Sequence, residues 1–86
     1  MKQLDYSIEI SRNDIKEFSQ FLLERENAEA TVKKYVTDIR TFFEYLNENL
    51  KVDKNVLLQY KEWLIQRYAI NSINSMLAAL NQFLKF

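Results

Sequence analysis

The chain has 86 residues, of which 12 are basic and 12 acidic, and it contains no histidine, cysteine, glycine or proline. One domain spanning 1–86 is the expectation at this length, burying about 60 to 65% of the surface its unfolded chain exposes. A hydrophobic share of 48% with six phenylalanines, five tyrosines and one tryptophan excludes intrinsic disorder. Without glycine there is no phosphate-cradling loop and no dinucleotide fingerprint. Without histidine or cysteine there is no conventional zinc site, thiol nucleophile, imidazole base or disulfide, so neither a metal nor a cofactor is expected.

The N-terminus MKQLDYSIEI lacks the apolar run of a signal peptide, and no apolar stretch is long enough to span a membrane. A soluble, cytoplasmic protein is therefore expected. The segment YSIEI is compatible with a short extended stretch. Ser11 with Asp14 three residues on offers a helix start, and Ile15, Phe18, Phe21, Leu22 and Leu23 then mostly follow a helical period, so the first helix is expected over 12–25. With no glycine or proline to punctuate the chain, asparagine takes that part because it tolerates the left-handed conformation that ends helices. Asn27 and Asn49 are the expected break points.

The second pattern is the clearest: Val32, Tyr35, Val36, Ile39, Phe42, Phe43 and Leu46 recur at helical steps and predict an amphipathic helix over 29–47. Its opposite side carries Lys33, Lys34, Thr37, Arg40, Thr41 and Glu44. A polar link, NENLKVD, leads to Asp53, a natural cap, and to Val56, Leu57, Tyr60, Trp63, Leu64 and Tyr68, which predict a third helix over 54–68. Ile70, Ile73, Met76, Leu77, Leu80, Phe83 and Leu84 predict a fourth over 70–86. The architecture expected is all-α, a compact four-helix orthogonal bundle.

Charge balances overall but not locally. Residues 1–26 carry four basic and six acidic side chains, whereas 54–86 carry four basic and only Glu62. The outward face of the fourth helix is Asn71, Asn74, Ser75, Gln82 and Lys85, with Ser72 and Asn81 at its margins. Solvated helices favour Glu and Lys, and Asn or Ser costs several tenths of a kcal/mol each, so an uncharged amide-and-hydroxyl face suggests use. Such groups can meet base edges and phosphate oxygens. The plainer reading is that Asn71 and Ser72 cap the helix and the others sit in solvent. On the second helix Lys33, Lys34 and Arg40 are placed for phosphates and Thr31, Thr37 and Thr41 for bases or backbone, but Glu29, Asp38 and Glu44 cancel the charge, and taken alone this is a solvated face. Zero net charge argues for weak nucleic-acid binding, because phosphate neutralisation supplies most non-specific affinity. The aromatic stripes fall at core spacing and read as interior, not as stacking platforms. No catalytic residue is assigned.

The runs FSQFLLERENAEATVKKYVTDIRTFFEYLNE, VDKNVLLQYKEWL and NSINSMLAALNQFLKF resemble, in that order, the N-terminal core-binding (SAM-like) domain of tyrosine recombinases, the phage integrases. Thr31, Val32, Tyr35, Asp38, Ile39 and Phe42 fill the family's Thr-hydrophobic-x-x-Tyr-x-x-Asp-hydrophobic-x-x-Phe segment. Ser72, Ile73, Asn74, Leu77, Ala79, Leu80 and Phe83 match its last helix. The chain departs from the pattern at Ala28 and Ala69, where the family often has a serine cap, and Asn27 is expected to substitute for the first.

The resemblance implies a DNA-binding module of a site-specific recombinase acting in DNA integration and recombination, a fragment without activity of its own. The parent's catalytic residues would lie in a C-terminal domain absent here. It further implies that the second and fourth helices lie against the major groove at the crossover site, through Thr31, Lys33, Lys34, Thr37, Arg40, Thr41, Asn71, Ser72, Asn74 and Ser75. The partners implied are double-stranded DNA, the catalytic domain of the same parent chain and other recombinase protomers, with no membrane. The alternative is a small helical module for protein–protein interaction or dimerisation, drawing on apolar surface at Phe83, Leu84 and Phe86.

Overall fold

A serine followed three residues later by an aspartate starts a helix because their side chains can meet amides that the first turn leaves without partners. In the computed structural model, which describes residues 7–25 and 27–86, the Ser11 N–H donates to the Asp14 carboxylate at 2.9 Å. Helix α1 follows over Arg12–Glu24 and buries Ile15, Phe18 and Leu22. Asn27 closes this helix and does not open the next: its Nδ2 donates to the Leu22 carbonyl at 2.8 Å. Helix α2, Glu29–Leu46, therefore starts at Ala28 with no side-chain cap, and the expected substitution by Asn27 is corrected.

Helix α2 ends at its last buried position, Leu46, and Asn47 follows as its C-cap. Asn47 there takes φ 61° and is the one residue with positive φ among those described, and its N–H donates to the Phe43 carbonyl at 2.9 Å. The left-handed break thus falls at Asn47 and not at Asn49, because the buried stripe stops at Leu46 and the chain must leave the helix axis at once. The link beyond is not merely polar. Lys51–Val52 forms a short strand, β2, antiparallel to β1, Ile8–Glu9, with Ile8 opposite Val52 and Glu9 opposite Lys51. The Ile10 N–H extends the pairing to the Leu50 carbonyl at 3.0 Å. Val52 and Ile10 enter the core by this route. The extended reading of YSIEI holds for Ile8 and Glu9, while Tyr6 lies outside the described residues.

Asp53 caps helix α3, Lys54–Ile65, accepting the Val56 N–H at 2.9 Å. This helix stops three residues earlier than expected. The amides of Arg67 and Tyr68 both donate to the Leu64 carbonyl at 2.9 Å, which folds the chain into a tight turn before extended Ala69 opens helix α4, Ile70–Lys85. Tyr68 and Ile70, assigned to the core pattern, are consequently 40% and 65% exposed.

Helix α2 packs against α1 and α4, and α3 against α4. Two consecutive residues of α2 join two aromatic groups. Phe42 meets Tyr60 edge-on at 4.7 Å between ring centroids, and Tyr60 stacks on Trp63 at 5.8 Å. Phe43 lies 6.0 Å from Phe83, which meets Phe18 edge-on at 5.4 Å. Offset and edge-on pairs add about 0.5 to 1.5 kcal/mol each beyond their burial. Phe86, expected to be exposed with Phe83 and Leu84, is half exposed and leans on Phe18 and Phe21, while Phe83 is buried. Among the described residues no helix is long and apolar enough to cross a membrane.

The Tyr60 hydroxyl is buried and has no hydrogen-bond partner among the described residues. Burial pushes its pKa up from about 10, and Tyr68 and Asp38 push it further the same way. A raised pKa in the fold means that the unfolded chain loses this proton first. The contribution to stability is therefore complete below about pH 10 and fades as pH climbs above it. Tyr60→Phe is expected to remove that part of the alkaline destabilisation and to leave stability at pH 7 unchanged or higher by about 1 kcal/mol, because an unpaired buried hydroxyl is lost. Thermal melts of both proteins between neutral and alkaline pH would show it. A variant that melts lower at pH 7 by several degrees would mean that the hydroxyl has a stabilising partner.

Candidate nucleic-acid interface

The outward side of α2 separates into a middle line and two edges. Lys33, Thr37 and Glu44 lie along the middle, spaced by one or two turns, and are exposed. The Thr37 hydroxyl donates to the Lys33 carbonyl at 2.8 Å and the Thr41 hydroxyl to the Thr37 carbonyl at 3.1 Å. These hydroxyls spend their protons within the helix and present oxygen lone pairs outward. They are suited to accept from a base amine and, in this arrangement, not to donate to phosphate.

Lys34 and Asp38 form one edge. Asp38, expected as a solvated acid that cancels charge, is 5% exposed and is held by the Lys34 ammonium at 2.7 and 2.9 Å through its two carboxylate oxygens. A carboxylate can be buried at this cost only when paired, so the charge of Lys34 is largely committed to the fold. Arg40 forms the other edge, beside α1, and Thr31 is exposed in the first turn. Among the described residues Lys34–Asp38 is the single ion pair, which leaves Lys33 and Arg40 as the unpaired cations of the assigned set.

On α4, Asn71, Ser72 and Asn74 are exposed and Ser75 is half-buried, and none of the four side chains makes a hydrogen bond among the described residues. Capping does not account for them, because Ala69 is the N-cap and has no side-chain bond. The capped helices, α1 and α3, are the two outside the assigned set; α2 and α4 begin at alanines and leave first-turn amides without side-chain partners. Such amides favour anions. Asn71, Ser75, Ala78 and Gln82 fall on one line of α4, and at its end the Gln82 amide donates to the Tyr35 hydroxyl of α2 at 3.2 Å. This bond ties the polar line of α4 to α2. It joins residues 47 positions apart, and nothing in their local sequence signals it.

Among known protein families, the model of the phage integrase N-terminal SAM-like domain matches residues 15–86. The chain belongs to that family. None of the curated proteins or solved structures matches it significantly. The matched region of this SAM-like domain holds nearly all of α1 and the whole of α2, α3 and α4, while the Ser11 cap and strand β1 precede it. The SAM-like domain is the N-terminal part of integrases and not their catalytic domain, and its four helices give the all-α fold expected of it.

Proposed function

We propose that this domain binds duplex DNA as the non-catalytic half of a tyrosine-type site-specific recombinase, and that α2 and α4 form the contacting surface. The observation that carries the reading is the first half of α4: exposed or half-exposed amides and hydroxyls at Asn71, Ser72, Asn74 and Ser75, without internal partners, in a chain of the integrase SAM-like family. Uncharged donors and acceptors on an exposed helix suit base edges and bridging waters. Lys33 and Arg40 supply the phosphate contacts that set register. Lys34 contributes less, because Asp38 already neutralises it.

Zero net charge fits a domain that does not act alone. A second DNA-binding domain in the same parent chain would hold this one near its site, so the weak contact gains from a high effective concentration. The catalytic domain of the parent and other protomers on the DNA are the protein partners in this reading, and 1–86 acts as a single unit.

An amide NMR titration with mixed-sequence duplex tests the proposal. Shifts concentrated between Thr31 and Thr41 and between Asn71 and Ser75, fading as salt rises, are expected. Shifts absent at millimolar duplex would overturn it. Shifts that follow protein concentration would favour a protein-interaction module, for which Leu58 and Ile65, two turns apart on α3, and neighbouring Ile70 are the supporting exposed apolar residues.

A further inference from the structure

Helices α1 and α2 leave a surface groove of about 560 Å³ between them, lined on one side by Arg12, Lys16 and Ser19 and on the other by Val36, Arg40 and Glu44. Three cations share it with one carboxylate. Among the described residues none of the four is ion-paired, although Arg40 and Glu44 stand one turn apart, at a spacing that commonly pairs. Arg12 and Lys16 are also one turn apart on α1, where like charges oppose helix formation. Charge pairing within the fold therefore gives no reason for this grouping, and an anion in the groove would.

Arg12 is positioned and not free to sweep, because its guanidinium sits 5.6 Å from the centre of the buried Phe43 ring, within the range of a cation–π contact. The groove also opens onto the α2 surface already described, since Arg40 is both its wall and the edge of that face. A small anion would need one or two of these cations. A row that crosses from α1 through Arg40 to Lys33 fits an extended polyanion.

We infer that the α1–α2 groove holds a run of phosphates of the bound duplex, so that Arg12 and Lys16 extend the contact surface onto α1. This inference rests on the DNA-binding reading of the domain. Phosphate contacts here carry no sequence information; they orient the domain and strengthen its salt dependence.

The test is the salt dependence of binding to a labelled mixed-sequence duplex, followed by fluorescence anisotropy for the wild-type chain, Lys16→Gln, Arg12→Gln with Lys16→Gln, and Lys33→Gln. Each lost phosphate contact lowers the slope of log K against log salt by about 0.9. Lys16→Gln is expected to lower it by about that amount and the pair by about 1.8, with helical circular dichroism unchanged. Should the pair fail to fold after losing Arg12 from Phe43, exposed Lys16 decides alone. A wild-type slope in Lys16→Gln together with a reduced slope in Lys33→Gln would overturn the groove and leave the α2 surface standing. A wild-type chain with no salt-dependent binding would overturn both.

Discussion

Phe42→Ala should lower the melting temperature by about 20 °C or more and bring the domain close to unfolding at room temperature. Phe42 is fully buried, and its ring, with that of Tyr45, meets Tyr60 and so joins α2 to α3, which also packs against α4. Truncating a buried phenylalanine costs about 3 to 5 kcal/mol, the sum of lost transfer energy and the cavity left behind. A chain of this length is stable by roughly 4 to 13 kcal/mol in total, and each kcal/mol moves the midpoint by about 4 to 8 °C. Leu58→Ala is the control. That residue is 52% exposed, so about 1 kcal/mol or less is at stake. Calorimetry on both variants tests the assignment, and equal, small shifts would mean that the aromatic groups do not hold α3 in place.

Lys33→Glu combined with Arg40→Glu should weaken duplex binding by about a hundredfold at 0.1 M salt, with the melting temperature within a few degrees of wild type. Two phosphate contacts at a slope of about 0.9 each correspond to about 60-fold at that concentration, and reversal adds repulsion to the loss. Both side chains are exposed and, among the described residues, outside any ion pair, so the fold gives no reason for a large stability change. The same reversal should flatten the salt dependence. Unchanged affinity would remove α2 from the interface. Lys33→Glu alone separates the middle of the α2 face from the α1 groove, because Arg40 borders both.

The helices were legible because their buried lines are regular. Val32, Ile39, Phe42, Phe43 and Leu46 lie at helical steps, and a period needs no partner to be seen. The Asp53 cap was legible for the same local reason, as its bond reaches only to Val56. The burial of Asp38 is not legible in the sequence, because the burial of a carboxylate depends on what packs over it, and its compensating Lys34 one turn back has the spacing of any surface pair. The end of α3 also escaped, and so did the break after α2, expected at Asn49 and found at Asn47. Where a helix stops depends on the direction the next segment must take, and two tight bonds to Leu64 in one case and the left-handed Asn47 in the other met that demand.

The candidate surface divides along the same line. Amides and hydroxyls on α4 and cations on α2 are properties of composition and helical phase, and the order of the motifs across Ile15 to Phe86 suffices for the integrase family. Which cations remain available is not. Lys34 is taken by Asp38, Gln82 binds Tyr35 across to α2, and Arg40 shares a groove with Arg12 and Lys16. These pairings join residues from different helices or depend on burial. Periodicity tells which side of a helix faces out, whereas the charge and shape met on that side are set by the neighbour packed beside it.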